Sequence, residues 1–346
     1  MNPASTDPGD RDPSVDEVAA EAMIERAATR RERLAGVLQR AGGFIVLAVV
    51  VLSASLVFGP RFASVDNLLN ILEASSFLAL VAVGMTFVIV GGGIDLSVGS
   101  LLALSAVLAA YGSQYGSVVA IALPLGVCGL IGLANGLLVS RARMAAFIVT
   151  LATLLFARGL AFAVSDEGNT IFHIADDLAV IGLGQGSILG IRVPVVIAGL
   201  AVAIGWIVLT RTRYGMAVTA IGGNEDAARL MGLPIARVKT VMYATSGLLA
   251  GLAGLLVAAR SSSGQSTIGV GLELQAIAAV VIGGTLLTGG SGSIAGTLAG
   301  VLLLNVINNV INQVGTLSSY FQQVVSGLFL IIVVVIQRYL SREQRL

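Results

Sequence analysis

Apolar runs about twenty residues long recur along the chain, separated by short polar or glycine-rich stretches. A helix needs about 20 mostly apolar residues to cross the hydrocarbon core of a bilayer. On that measure the sequence predicts ten spans, at residues 42–59, 74–91, 99–114, 117–139, 145–164, 193–210, 240–259, 274–290, 294–312 and 319–337. Glycine-rich hairpins separate the second span from the third and the eighth from the ninth, so those boundaries are the least sharply drawn. The expected fold is all-α, a polytopic helical bundle embedded in a membrane.

The basic residues orient that bundle. They fall in four clusters: Arg26, Arg30, Arg31, Arg33 and Arg40; Arg141 and Arg143; Arg211, Arg213, Arg229, Arg237 and Lys239; Arg338, Arg342 and Arg345. An even number of predicted spans separates every pair of clusters, and short cytoplasmic loops carry the positive excess. All four therefore belong to the cytoplasm, giving an N-in/C-in topology. Segment 165–192, with Asp166, Glu167, Asp176 and Asp177 against Arg192, then lies outside. The expected organisation is a cytoplasmic tail over 1–40, a transmembrane domain over 41–337 with a cytoplasmic loop at about 211–239, and a cytoplasmic tail over 338–346. Residues 1–15, rich in Pro, Asp and Ser, are expected to be disordered, and 16–40 fit a charged interfacial helix. A charged tail of this length before the first apolar run does not resemble a cleaved secretory signal.

Composition removes whole classes of function. Only 11% of the 346 residues are charged, against roughly a quarter in a soluble protein. Hydrophobic residues make up 56% and Gly occupies 43 positions, so a soluble enzyme is excluded. A net charge of +1 offers no field for nucleic acid. Cys128 and His173 are each the single residue of their type, which excludes a disulfide framework and a Cys- or His-cluster metal centre. No carboxylate pair at catalytic spacing lies inside the spans, so neither catalytic residues nor a metal site are expected.

Within the spans, glycines at four-residue spacing form stripes: Gly132 and Gly136, Gly247 and Gly251, and Gly292, Gly296 and Gly300. Such stripes let helix backbones approach closely, either inside the bundle or between subunits. Intramembrane polar residues are costly and must face protein or water. Asn305 and Asn309, with Asn308 and Asn312 beside them and Gln322 and Gln323 beyond, either line a passage for a hydrophilic solute or join helices by hydrogen bonds. Arg158, the one cation deep inside a predicted helix, is expected to pair with a carboxylate or with carbonyls, or alternatively to contact the solute; with Asp95, Ser97, Asn305 and Asn309 it is a candidate for the translocation path.

Two motifs carry most of the functional reading. In GGGIDLSVGS, residues 91–100, Gly91, Gly92 and Gly93 let the backbone turn at membrane depth, with Gly99 following. Asp95 or Ser97 can cap the helix that starts there; alternatively Asp95 contacts or gates a solute. Gly289, Gly290 and Gly292 form the matching hairpin before the ninth span. In the polar stretch 210–240, the sequence predicts a short helix from Asn224 to Leu230, a stop at Gly232 and a turn at Pro234. A helix-turn-helix of this size exceeds what a connector needs and reads as a docking surface for a cytoplasmic partner.

GMTFVIVGGGIDLSVGSLLAL (84–104), GGNEDAARLMGLPIARVK (222–239), SGLLAGLAGLL (246–256) and ELQAIAAVVIGGTLLTGGSGSIAGTLAG (273–300) resemble the permease subunits of bacterial ATP-binding-cassette importers of the ribose, xylose and galactose type. The resemblance covers roughly residues 40–337 and implies the importer permease fold in a bacterial inner membrane. Asp226, Ala227 and Ala228 followed by Gly232 resemble the coupling loop of such permeases, usually written EAA with a Gly four residues on. Asp226 stands where that pattern has Glu, with Glu225 adjacent, so either carboxylate can hold the docking position. The resemblance also implies a second permease copy or paralogue, cytoplasmic ATPase subunits and an extracytoplasmic solute-binding protein. Similar permeases serve nucleosides, inositol or autoinducer-2, which leaves the solute open. The sole lysine, Lys239, lacks the Gly-rich turn of a nucleotide-binding loop, so ATP and Mg are expected on the partner ATPase and no cofactor on this chain. An ion-driven secondary transporter working through Asp95 and Arg158 is the rival reading.

Overall fold

The computed structural model describes residues 43–176 and 178–315, together with positions 321, 324, 327, 328, 331 and 335. The tails at 1–40 and 338–346, Asp177, Gln322, Gln323 and most of the tenth expected span lie outside the described residues. The chain opens with α1 (Gly43–Phe58), then α2 (Pro60–Ala63), α3 (Val65–Val90), α4 (Val98–Ser113), α5 (Ser117–Ser140) and α6 (Ala146–Val164). A structured crossing follows, with β1 (Phe172–His173), α7 (Ile181–Gln185), β2 (Ser187–Ile188) and β3 (Ile191–Arg192). The second half holds α8 (Val193–Arg211), α9 (Arg213–Gly223), α10 (Glu225–Leu230), α11 (Ile235–Ser261), β4 (Ser263–Gly264), α12 (Leu272–Ile282) and α13 (Ile294–Val314).

Among the described residues six helices, α3, α5, α6, α8, α11 and α13, are long and apolar enough to cross a membrane. Helices α1, α4 and α12 are apolar but shorter. The continuous span expected at 274–290 is corrected by the structure: α12 ends at Ile282 and an irregular hairpin runs to Ser293. Gly284, Gly289 and Gly290 adopt φ of 88°, 83° and 77°, values a right-handed helix cannot hold. Hydropathy alone misses the start of this break because Leu286 and Leu287 extend the apolar run past Gly283 and Gly284.

Helix α11 lies at the centre, against α5, α4 and α3. Its approach to α5 explains the first two glycine stripes: a Cβ on Gly247 would lie 2.5 Å from the Cys128 carbonyl oxygen and 2.9 Å from Gly132 Cα. On Gly136 it would lie 2.7 Å from the Thr240 backbone. These stripes therefore make the bundle's own interior contacts, where small side chains allow backbone-to-backbone packing. The third stripe is a pair, Gly296 against Gly283 and Gly300 against Ala279, because Gly292 precedes α13. The membrane-length stretch of α3 is nearly all buried, although its first turns expose Val65 and Leu68, whereas α5, α6 and α8 turn Leu130, Leu155, Phe156 and Ile204 outward.

The bundle has two distinct ends. Helices α9 and α10, the 91–93 turn and the 283–293 hairpin gather at one. At the other, β1 pairs with β4 in register Phe172↔Gly264 and His173↔Ser263, tying segment 165–192 to the end of α11.

Candidate functional site

The α9–α10 end is built by local capping. The Thr212 hydroxyl accepts a hydrogen bond from the Gly215 N–H at 3.2 Å and starts α9. Asn224 Oδ1 accepts from the Ala227 N–H at 2.9 Å and starts α10, whose first turn carries Glu225 and Asp226 at the positive end of the helix dipole. Gly232 follows at φ 78° and Pro234 caps α11. The short helix, glycine stop and proline turn lie where the sequence places them; α9 is an additional helix. Ala217, Val218 and Ile221 of α9 join Val88 and Val90 of α3 and Met242 and Tyr243 of α11 in one core, to which α10 gives only Ala228. Helix α10 is thus a protrusion on a buried base, with Ala227 exposed and Leu230 91% exposed at its tip.

The two adjacent carboxylates face different ways. Glu225 turns back onto the protein, accepting from Lys239 Nζ at 2.5 Å and Arg229 Nη2 at 3.0 Å. Asp226 is 90% exposed, and among the described residues its one ion pair is a 3.6 Å approach to Arg229 Nη1. A cavity of ≈ 420 Å³ lies between α10, α11 and the 91–93 turn, with Arg143, Glu225, Arg229 and Lys239 in its wall.

Beyond that cavity the first hairpin re-enters the bundle. Gly91 lies under Met242 and Gly93 under the Tyr243 hydroxyl, where any larger side chain would collide. Asp95 is fully buried. Its Oδ1 accepts from the Ser97 N–H at 3.0 Å and the Ser97 hydroxyl at 2.5 Å, and its Oδ2 from the Ser246 hydroxyl at 2.8 Å. Asn135 Nδ2 donates to Ser97 Oγ at 3.3 Å, and Thr153 Oγ1 donates to Asn135 Oδ1 at 2.6 Å. One polar chain thereby links α6, α5, the hairpin and α11. The sequence reading missed Asn135, Thr153 and Ser246. Asn135, a buried amide within an apolar span, was the available signal.

A second irregular stretch, 265–271, leads into α12. Arg158 of α6 anchors it, with Nη1 donating to the carbonyls of Ser266 at 2.6 Å and Ile268 at 2.7 Å. Of the two expected kinds of partner, carbonyls therefore hold the guanidinium, and Glu273 in the first turn of α12 makes no ion pair with it among the described residues. Gly99 makes room for this fold: a Cβ there would meet the Glu273 carboxylate and the Gly269 carbonyl. The asparagines of α13 lie farther along. Asn309 exchanges two hydrogen bonds with Asn67 of α3, at 2.8 and 3.2 Å, and Asn305 Nδ2 donates to the Val301 carbonyl at 3.0 Å. Asn309 thus joins two helices.

Near the β1–β4 end, Glu73 is buried and meets Arg260 Nε at 2.8 Å and Arg192 Nε at 3.9 Å, while each arginine remains about half exposed. This cluster also escaped the sequence reading, because each member borders a predicted span. Among the described residues no group of acidic, His or Cys side chains is arranged to hold a metal ion.

A family model described as "Branched-chain amino acid transport system / permease component" matches residues 67–334. The ribose import permease protein RbsC of Bacillus subtilis (strain 168) is 43% identical over 318 residues, covering 91% of this chain and 98% of its own length. The ribose import permease protein of Escherichia coli (strain K12) is 41% identical over 295 residues, 84% of this chain and 92% of that one. The L-arabinose transport system permease protein AraH of the same strain is 36% identical over 305 residues, 88% and 92% of the two chains. No solved structure gives a significant match. With a permease family model spanning most of its length, and relatives this similar over nearly their whole chains, this membrane-embedded chain belongs to the branched-chain amino acid transport system / permease component family.

Proposed function

We propose that the chain is the membrane-spanning permease subunit of an ATP-binding-cassette importer that carries a monosaccharide of the ribose, xylose or galactose type. The observation that carries this reading is the near full-length likeness to ribose import permeases, supported by those for L-arabinose and fructose. In this reading both termini lie in the cytoplasm and α9 and α10 face the same side. There α10 meets a separate ATPase subunit, which binds and hydrolyses ATP with Mg. Segment 165–192 then faces outward, where a solute-binding protein delivers the sugar. Two permeases, identical or paralogous, enclose the path, and ATP-driven closure of the ATPases alternates its access.

The exposed Asp226, the Leu230 tip and the narrow attachment of α10 support docking there. Against the ion-driven rival, both oxygens of Asp95 already hold protein donors and Arg158 holds two backbone carbonyls. Asp226→Lys and Gly232→Trp are expected to reduce co-purification of the ATPase about tenfold, the loss of about 1.4 kcal/mol of binding, with membrane insertion unchanged. Undiminished co-purification of both variants would contradict the docking assignment.

A further inference from the structure

Three segments far apart in sequence meet at one backbone contact beneath α10. The C-terminus of α9 at Gly222 and Gly223, the end of α3 with its Gly92 turn, and the second hairpin at Gly289 and Gly290 touch without side chains between them. The Gly290 N–H donates to the Val90 carbonyl at 2.8 Å and binds the two hairpins together. Gly222 fills the remaining corner: a Cβ there would collide with that same Val90 carbonyl oxygen and lie 2.7 Å from Gly290 N, striking both partners of the bond. A Cβ on Gly289 would lie 2.9 Å from the Gly222 carbonyl oxygen and 2.9 Å from Gly92 Cα.

The energetics favour rigid transmission through this junction. Helix α9 is fixed to α3 and α11 by the core of Ala217, Val218 and Ile221, and close-packed interiors are weakly compressible. Each hairpin is also braced internally, by Gly93 N–H to the Val88 carbonyl at 2.9 Å in the first and Leu286 N–H to the Ser291 carbonyl at 3.1 Å in the second. The first hairpin continues directly into Asp95 and Ser97, and the second into α13 through the Ser293 cap. A displacement of α9 therefore has no soft side chain to dissipate it before it reaches both helix breaks.

We propose that Gly222 is the positioning residue that couples α9 to both hairpins, so that α9, the 91–93 turn and the 283–293 hairpin move as one unit during the transport cycle. The inference rests on the importer reading above, and its test separates the two. The wild-type permease, its ATPase and its binding protein are reconstituted together, and sugar uptake and ATP hydrolysis are measured on the same vesicles. Gly222→Ala is expected to keep ATPase association and hydrolysis within about twofold while uptake falls about tenfold, a coupling loss of ordinary allosteric size. Gly223→Ala, whose added Cβ finds its nearest neighbour at 3.9 Å, is expected to keep both rates and serves as the matched control. An unchanged ratio of sugar to ATP in Gly222→Ala overturns the coupling role, whereas absence of ATP-driven uptake in the wild type overturns the importer reading instead.

A second measurement leaves the glycines intact, so the proposal stays testable where Gly222→Ala fails to fold. Spin labels at Thr219→Cys of α9 and Ser291→Cys of the hairpin, both exposed sites, report the distance across the junction. That distance is expected to be the same in the nucleotide-free and ATP-trapped complex. A change between the two states would contradict movement as a unit.

Discussion

Glu225 and Asp226 carry the same charge on neighbouring positions, yet Glu225 is held by Lys239 and Arg229 while Asp226 points into solvent. The outward carboxylate is the one available to a partner, and in the proposed importer it takes the docking position. Asp95 shows the opposite situation, with every bond internal. Removing it leaves the Ser97 and Ser246 hydroxyls buried without an acceptor, at about 1–3 kcal/mol each. Asp95→Ala is expected to lower the unfolding temperature of the detergent-solubilised protein by about 5–10 °C, and Asp95→Asn, which keeps an acceptor oxygen, by less. Equal loss in both variants would show that charge rather than hydrogen bonding holds the hairpin.

At the scale of elements, the α5–α11 pair depends on glycine at the contact and not elsewhere on the same helix. Gly247→Leu would drive a side chain into the Cys128 carbonyl and is expected to cost about 1–3 kcal/mol by overpacking. The Cβ that Gly126→Leu adds on the exposed face of α5 meets no atom within 4 Å, so that variant is expected to be neutral. Thermal unfolding of the two variants side by side checks this. The α10 turn was legible in the sequence because Asn224, Gly232 and Pro234 act locally, each on its own backbone. Helix α9 was hidden, since TRYGMAVTAIGG carries weak local signals and gains its order from burial against α3 and α11. The hairpin glycines at 289–292 were legible, whereas the earlier break after Ile282 was hidden for a different reason: Leu286 and Leu287 prolong the apolar run past Gly283 and Gly284. The Asp95 cluster was half legible, because the motif named Asp95 and Ser97 while Asn135, Thr153 and Ser246 meet them only through the fold.

Over the whole molecule, few charges and many glycines serve one arrangement. Glycine contacts bring backbones together through the bundle, and the polar groups concentrate at its two ends and at the two helix breaks. In the proposed importer the α10 end, where the two helix breaks meet α9, takes force from an ATPase, and the β1–β4 end receives sugar. Proteoliposome uptake of labelled ribose tests this most directly, with the permease present alone or together with its ATPase and binding protein. Uptake is expected only when all three components and internal ATP are present, and none from the permease alone under a proton or sodium gradient. Gradient-driven uptake by the permease alone would contradict the importer mechanism.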